Sequence, residues 1–350
     1  MAEIPVVQAR ALFTQTLIAI FSDMKAPSSF FRSFFKRVES GSKLLSIEVQ
    51  RNLEKIAVDV ERGSDGNRNK WSKSTEKIIL PPYYHEFFDM TQLDLYDRLF
   101  SASGTINENT MAEFMNEVAR KTAAMRDLIE RAYEKQCADV LLTGVVSLNS
   151  GVTIDFKRKA DSLVTLGAGA RWTVSGQSPY DTLESGANFI RQKGKFGGDI
   201  LNVIMGSSVY NAFLKNDVVT ARADNLRISL DQINEPQRKS DGTLQGRTSA
   251  GSYKFNIWTY PEFYDNASNV STPYMDASKI IILPESPEFV LGFAAVPQLI
   301  STGGIASTKG QYLISEYVDP KKVAHEIDIK SAGIAIPVAV DQIYTAKVVA

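Results

Sequence analysis

The residues that could carry enzymatic chemistry are few and poorly spaced. His85 and His325 are the only histidines, and each precedes a glutamate, but Asp89 and Ile329 occupy the fourth position after them. A zinc-binding helix of the two-histidine type needs its second histidine at that position. Neither histidine therefore predicts a metal site, and we interpret both as surface or packing residues without a catalytic role.

Two glycine-containing segments begin like known motifs and then depart from them. Trp172 stands where a dinucleotide fingerprint needs its third glycine, in the run Gly167-Ala168-Gly169-Ala170-Arg171-Trp172, so this run predicts a turn. Tyr180 stands where a hydrolase nucleophile elbow needs glycine, and Pro179 follows the serine. No phosphate-binding loop occurs, and the acidic residues lack metal-ligand spacing. The sequence predicts no catalytic residue, metal or cofactor, and hence no enzyme.

Composition narrows the class of protein further. The chain has 350 residues, and its 39 basic and 40 acidic side chains nearly cancel. No global positive field would therefore attract nucleic acid or an anionic membrane. Cys137 is the only cysteine, which excludes an intrachain disulfide framework and favours a reducing compartment. We predict that Cys137 packs as a small apolar residue within a long helix.

The sequence carries neither a clear export signal nor a membrane-spanning run. Polar residues interrupt the apolar ones of the first segment, 1–21, unlike the core of a signal peptide. Apolar runs such as Ile280–Leu283 are far shorter than the roughly 20 residues that cross a bilayer as a helix. We therefore expect a soluble chain with no membrane partner.

The elements that would position functional residues begin with an N-terminal arm over 1–40 and an extended hairpin over 41–81. Apolar residues alternate with polar ones in Leu45–Val49 and again in Ile56–Val60, which predicts two half-buried strands. Ile78–Leu80 then resumes a strand. The two prolines that follow it end this strand, because proline has no backbone donor for the ladder.

The segment Glu61–Lys77 between these strands is too polar to pack inside its own subunit. One interpretation is a mobile surface hairpin, and the other is a loop that contacts a neighbouring chain, with Trp71 as its aromatic anchor. Four aromatic residues stand among three basic ones over Phe30–Arg37. This run resembles a nucleic-acid stacking platform, but packing or docking is the favoured interpretation. The predicted intersubunit contact residues are Arg62, Arg68, Lys70, Trp71, Lys73, Phe30, Phe31, Phe34 and Phe35.

A long amphipathic helix gives the strongest secondary-structure signal. Apolar residues recur at three- and four-residue steps over about 107–142, without an interior proline or glycine. Asn107 or Asn109 can cap its start, and Gly144 can end it. Its length predicts a spine that runs beneath a sheet. A coiled coil is the alternative, but the apolar pattern does not continue through successive helices.

The rest of the chain has an α+β pattern. We predict a helix over Pro179–Arg191, a buried strand over Asp199–Met205 and a helix over Ser207–Lys215. Asp231–Gly251 predicts a mobile excursion or a surface hairpin. Further predicted strands are Gly151–Phe156, Ser162–Leu166, Lys254–Tyr260, Lys279–Leu283, Phe289–Phe293, Gln311–Tyr317, His325–Ile329 and Ile334–Val340.

Several runs, in this order along the chain, resemble those of the major capsid proteins of tailed bacteriophages, particularly the lambda-like branch. They are Lys55-Ile56-Ala57-Val58-Asp59-Val60-Glu61-Arg62-Gly63, Pro81-Pro82-Tyr83-Tyr84, Arg171-Trp172 with Pro179-Tyr180-Asp181, Val203-Ile204-Met205-Gly206-Ser207-Ser208-Val209-Tyr210 and Lys330-Ser331-Ala332-Gly333-Ile334-Ala335-Ile336-Pro337. The resemblance covers nearly the whole chain, and it rests on the order and spacing of these runs.

This resemblance implies an α+β fold of the Hong-Kong-97 type, with an N-terminal arm, an extended hairpin loop and a spine helix. It also implies a peripheral domain over 82–175, an axial domain over 176–295, and return strands of the peripheral domain over 296–350. Related subunits assemble as hexamers and pentamers of an icosahedral shell that encloses double-stranded DNA.

The implied partners are copies of the chain itself, a separate scaffolding protein, a portal, a decoration protein and packaged DNA contacted without sequence specificity. The implied location is the virion, and the host cytoplasm before assembly. Some relatives link a loop lysine covalently to a neighbour's asparagine. Lys70 and Lys73 lie in a comparable place, but their partner cannot be identified. A tail-tube or decoration subunit is the alternative, and a soluble hydrolase is less favoured.

Overall fold

The computed structural model describes residues 27, 29–49, 75–91, 108–148, 151, 153–225, 237–239, 242–266, 268–299, 305–319 and 324–350. Its helices are α1 (Glu108–Leu142), α2 (Pro179–Gln192), α3 (Ser207–Lys215) and α4 (Asp217–Asn225). Short 3-10 helices span Phe31–Phe34, Ala160–Ser162, Ala168–Ala170 and Val340–Gln342.

The strands in chain order are β1 (Phe35–Glu39), β2 (Leu45–Val49), β3 (Thr75–Ile79), β4 (Tyr83–Thr91), β5 (Val145–Ser147), β6 (Thr153–Asp155), β7 (Leu163–Thr165), β8 (Ile200–Met205), β9 (Gln237–Lys239), β10 (Gly242–Ala250), β11 (Tyr253–Thr259), β12 (Phe263–Asp265), β13 (Ser271–Pro273), β14 (Lys279–Pro284), β15 (Phe289–Phe293), β16 (Val296–Leu299), β17 (Ile305–Thr308), β18 (Leu313–Asp319), β19 (Ala324–Pro337) and β20 (Tyr344–Lys347). Two large sheets contain most of them, and four small two-stranded pairs contain the rest.

The first large sheet has five strands and is built around β19. This strand pairs antiparallel with β4, β15 and β18, while β1 extends β15 in parallel. The register places Phe87 opposite Asp328 and Val290 opposite Ile336. Since side chains alternate along a strand, β19 has two different faces. One face lies against α1, and the other lies against the base of the hairpin formed by β2 and β3.

The spine helix α1 approaches the sheet closely. Its Tyr133 is buried with Ile329 of β19, and the Tyr133 hydroxyl lies 2.6 Å from the Ser331 hydroxyl. Gly333 permits this approach, since a Cβ atom there would lie 2.7 Å from the Phe293 ring and 2.8 Å from the Tyr133 ring. The predicted spine helix is confirmed, and it ends just before Gly144, whose φ of +74° is the left-handed conformation that closes many helices.

The second large sheet has seven strands in the order β7-β20-β14-β8-β11-β10-β9. α2 and α3 cover one of its faces, where Leu183 and Phe213 pack in an apolar cluster with Val203. α2 lies close to the sheet because Gly186 has no side chain. A Cβ atom there would lie 2.6 Å from Cδ1 of Ile282 and 2.8 Å from the Tyr344 ring. The predicted unit of β8 followed by α3 is confirmed.

Two of the predicted elements differ in the structure. Of the two alternatives for Asp231–Gly251, the hairpin is confirmed and the mobile excursion is wrong within the described part of this stretch. Gln237–Lys239 (β9) pairs antiparallel with Gly242–Ala250 (β10), which also pairs along β11. The small residues of β10 resemble a loop in sequence but fit tightly, and a Cβ atom at Gly242 would lie 2.2 Å from the Phe30 ring. The separate strands predicted on either side of Gly333 are one strand of 14 residues, since this glycine makes close contacts and does not interrupt pairing.

Sheet membership does not follow the predicted domain boundaries at three strands. β15 belongs to the predicted axial stretch but pairs with β1 and β19 in the five-stranded sheet. β7 and β20 belong to the predicted peripheral stretches but extend the seven-stranded sheet. Parallel and antiparallel pairing between distant segments decides this membership, and sequence position does not reveal it. The division into domains stays a prediction.

Candidate assembly surfaces

The base of the extended hairpin is the part of the predicted contact loop that the structure describes. β2 and β3 pair antiparallel from Leu45 opposite Ile79 to Val49 opposite Thr75. Leu45 and Ile79 are buried against Ile334 in an apolar cluster on the face of the sheet away from α1. The chain therefore leaves this face and returns to it at adjacent points. The predicted contact residues Arg62, Arg68, Lys70, Trp71 and Lys73 lie outside the described residues.

The phenylalanine run after the arm lies largely inside its own subunit. Phe30, Phe31 and Phe35 are each no more than 5% exposed. The rings of Phe30 and Phe31 lie 5.2 and 5.1 Å from the Tyr260 ring. Their assignment to an intersubunit contact is therefore corrected, because contact with their own chain leaves almost no surface for another. Phe34 is half-buried and stays a predicted contact.

Charged residues fix this run to the spine helix. Glu134 of α1 is fully buried and accepts hydrogen bonds from the backbone N–H groups of Phe31 and Arg32, at 2.7 and 3.0 Å. The Arg32 guanidinium forms ion pairs with Glu130 and Glu134. Burial raises the pKa of Glu134 to about 7, although the hydrogen bonds and Arg32 oppose this rise. We call Arg32, Glu130 and Glu134 the buried charge cluster.

The sequence interpretation missed a second exposed surface, on β4. We define the outer β4 surface as the exposed residues Tyr83, His85, Phe87 and Asp89, which alternate with residues facing α1. Tyr83 is 50% exposed and Phe87 is 51% exposed. Aromatic residues occur on both faces of β4, so the sequence shows no alternation of apolar and polar residues there. The two prolines before β4 indicate only the end of the preceding strand. The run of aromatic residues, which favour strands, was the signal in the sequence that could have predicted β4.

The described side chains that could have carried catalysis or metal binding contact other residues of the fold. His85 Nε2 lies 3.2 Å from Oδ2 of Asp328, which also contacts Lys330 and Ser315. Cys137 is fully buried, and burial raises its thiol pKa, as expected for a packing residue. His325 lies in β19, but its side chain is outside the described part. Within the described residues, no group of three metal-ligating side chains occurs.

The two glycine-containing segments serve as local turns. Ala168–Ala170 forms a 3-10 turn, as predicted, and the buried Trp172 donates from its indole nitrogen to the Thr182 hydroxyl at 3.2 Å. Pro179 begins α2, directly after Ser178. Among the helices in the described ranges, none is both long and apolar enough to cross a membrane.

Comparisons with known proteins agree with this architecture. The profile of a family described as phage major capsid protein E matches residues 13–348. Among solved structures, the fold is similar to that of a protein named as a capsid protein of a prophage of E. coli CFT073. The two share 14% identity and a TM-score of 0.66, over 96% of this chain and 98% of that chain. No curated protein sequence matches.

A phage-related protein from Bordetella bronchiseptica RB50 has a similar fold, with 10% identity, a TM-score of 0.51, and coverage of 95% of this chain and 96% of that chain. These identities show the fold alone, whereas the family profile spans nearly the whole sequence. The predicted capsid fold of the Hong-Kong-97 type is confirmed, and the tail-tube, decoration and hydrolase alternatives lose support. The chain belongs to the phage major capsid protein E family and is a major capsid protein of a phage shell.

Proposed function

We propose that this capsid protein assembles with copies of itself as hexamers and pentamers of an icosahedral shell that encloses double-stranded DNA. The family is structural, so we assign no catalytic role. The observation that supports the assembly proposal most directly is the hairpin base. It fixes both ends of the segment 50–74, which includes most of the polar run Glu61–Lys77, to one face of the five-stranded sheet. A polar run whose two ends are held in this way is in position to contact another subunit.

We assign Arg62, Arg68, Lys70, Trp71 and Lys73 to this contact. On a neighbouring copy, the outer β4 surface offers two half-exposed aromatic rings and the exposed carboxylate of Asp89. Trp71 flanked by cations is complementary to such a surface, because its ring can pack on the aromatic rings and the cations can pair with the carboxylate. The same loop would then contact the same surface on every neighbour around a ring, as a heterologous interface requires.

We also propose how the domains correspond to the sheets. The five-stranded sheet with α1 would form the peripheral domain, including β15. The seven-stranded sheet with α2 and α3 would form the axial domain, including β7 and β20. A scaffolding protein, a portal, a decoration protein and a cytoplasmic stage before assembly follow from the family alone and belong to the proposal.

Replacing Trp71 with serine tests the assembly proposal. Loss of a central aromatic anchor should raise the subunit concentration needed for shell formation by about tenfold or more. The melting temperature of the unassembled subunit should stay nearly unchanged. Electron microscopy of the purified chain measures shell formation, and Trp71→Phe is the matched control that keeps an aromatic ring. Equal assembly of the serine variant and the wild type would contradict the proposed anchor.

Electron microscopy of the wild-type chain also tests the proposed assembly itself. Closed shells, or rings of six and five subunits, support it, whereas tubes or a persistent monomer would contradict it. Denaturing electrophoresis of mature particles tests a covalent link through Lys70 or Lys73. Monomer bands alone would eliminate such a link, while a ladder that disappears in Lys70→Arg or Lys73→Arg would identify the lysine.

A further inference from the structure

The exposed side of the spine helix has an unusual charge distribution. The described side chains of α1 cover 116–142, and six of them are exposed: Asn116, Arg120, Lys121, Ala124, Leu128 and Arg131. Three of these are cations and none is an acid. The acidic residues of the same stretch are half-buried or buried: Glu117, Asp127, Glu130, Glu134 and Asp139. We call the six exposed residues the basic helix face.

The cations of this face remain available for a partner. Lys121 Nζ lies 5.5 Å from the centre of the Phe88 ring, a contact that does not neutralise its charge. Among the described residues, Arg120 and Arg131 have no ion-pair partner. The half-buried Lys135 continues the stripe, although it pairs with Asp139 at 2.5 Å. Arg120 and Arg131 are about 16 Å apart along the helix axis, at 1.5 Å per residue.

The position of this face in the fold adds a second argument. α1 covers one side of the five-stranded sheet, and the hairpin base covers the other. The proposed contacts with neighbouring subunits therefore start on the side opposite to the basic helix face. A shell wall built in this way leaves the helix side free for a different partner, and a shell that encloses DNA has one side facing a dense array of phosphates.

We propose that the basic helix face contacts the phosphate backbone of the packaged double-stranded DNA without reading its sequence. This proposal rests on the shell function and names the surface through which the shell meets its contents. Cations without matched acids are what nonspecific phosphate contact requires. Leu128 is 51% exposed at the centre of the face, but one exposed leucine is ordinary on a protein surface. Phosphate is therefore favoured over a protein partner.

The salt dependence of DNA binding tests this assignment. If Arg120, Lys121 and Arg131 each contact a phosphate, affinity for a 30-base-pair duplex should fall about 40-fold between 50 and 200 mM salt. In the double variant Arg120→Gln and Arg131→Gln, one contact remains, and the fall should be only about 3-fold to 4-fold. Fluorescence anisotropy with the purified full chain measures both values, and circular dichroism checks that the helix content is unchanged.

The matched control is the double variant Lys215→Gln and Lys254→Gln, which removes the same charge from exposed positions near the seven-stranded sheet. It should bind DNA like the wild type. Equal losses in both double variants would overturn the proposal, because net charge rather than this face would then explain binding. Tighter binding of an acidic polyglutamate peptide than of the duplex would also overturn it in favour of a protein partner.

Electron microscopy of the same variants separates failure of this proposal from failure of the shell function. Shells that form normally in Arg120→Gln with Arg131→Gln, together with the lost salt dependence, support a DNA-facing surface. Normal shells with unchanged salt dependence would overturn the DNA contact alone. A wild-type chain that forms no shells would contradict the proposed function independently of any DNA measurement.

Discussion

The core around α1 and the core around α2 differ in the charge of their buried polar side chains. Within the described residues, every buried charged side chain belongs to the Phe31–Phe34 turn, α1 or β19: Arg32, Arg126, Glu130, Glu134, Glu326 and Asp328. The cluster beneath α2 is apolar, and the buried polar residues of the seven-stranded sheet and of the junction between α3 and α4 are neutral: Asn202, Asn216, Thr248, Asn256 and Thr345. Both cores are packed by apolar side chains, but only the core around α1 also contains buried ion pairs.

This difference has a physical consequence for what each core specifies. Apolar packing stabilises in proportion to buried area and accepts several arrangements of similar volume. A buried charge accepts only an arrangement that pairs it, because an unpaired charge in the interior is costly. The buried charge cluster therefore fixes one position of the Phe31–Phe34 turn on α1, at the root of the predicted arm.

Removal of Arg32 should produce the largest loss of stability. Arg32→Met leaves Glu130 and Glu134 buried without their cation, so we expect the free energy of unfolding to fall by about 3–5 kcal/mol. Denaturant unfolding of the unassembled subunit measures this loss. Arg247→Met, at an exposed position of β10, is the control and should change stability by less than about 0.5 kcal/mol. A loss below about 1 kcal/mol for Arg32→Met would show that the cluster does not hold this core.

The pH dependence of stability should distinguish the two cores next. Glu134 has a pKa of about 7 in the folded chain and near 4.5 when exposed, so the folded chain binds the extra proton between these values. Stability from this group is therefore complete below about pH 4.5 and is lost as the pH rises through 7, by about 3 kcal/mol in all.

Glu134→Gln should remove this dependence, because glutamine does not titrate. Unfolding curves collected from pH 5 to pH 8 measure the slope, with Glu285→Gln at an exposed position as the control. The control should retain the wild-type slope. A wild-type stability that rises over this range, or a slope that persists in Glu134→Gln, would show that Glu134 stays ionised in the folded chain.

Substitutions at two glycines, one in each core, should have the smallest effects on stability. An added methyl at Gly333 would meet the rings of Phe293 and Tyr133, whereas at Gly186 it would meet Cδ1 of Ile282 and the Tyr344 ring. Alanine also favours the helix at Gly186, which offsets part of the strain. We expect losses of about 2 kcal/mol for Gly333→Ala and about 1 kcal/mol for Gly186→Ala.

Thermal unfolding measures these losses, and Gly197→Ala is the control because nothing lies within 4 Å of its added methyl. If Gly186→Ala proved more destabilising than Gly333→Ala, the apolar core would be the less adaptable of the two. That result would contradict the expectation that apolar packing beneath α2 accommodates small changes in volume.

Local patterns in the sequence were sufficient to predict the elements that depend on residues close together in the chain. The spine helix, α2 with its leading proline, and β8 followed by α3 were all predicted from spacing and composition. β4 was missed because Tyr83–Phe88 has aromatic residues on both faces. For β10 the sequence left both a mobile excursion and a hairpin open, because Gly242 suits a loop but is here required by close contact with the Phe30 ring.

The buried charge cluster could not be predicted in the same way. Glu134 lies 103 positions from the backbone N–H of Phe31 that it binds, and nothing near either residue indicates the other. The parallel pairing of β1 with β15 is similarly nonlocal. The family resemblance supplied the overall fold, whereas the residues assigned to contacts in Phe30–Phe35 needed the tertiary structure to be recognised as core.

The central position of β19 also determines when the five-stranded sheet can form. His85 of β4 contacts Asp328 of β19, which lies 243 positions later in the chain. Until the ribosome has released residues 324–337, β4 and β15 lack the strand that pairs with both. Contacts so distant in sequence form slowly, and strand edges stay exposed meanwhile. A chain that terminated before residue 324 would therefore lack the strand on which β4, β15 and β18 all pair, and its sheet would stay open.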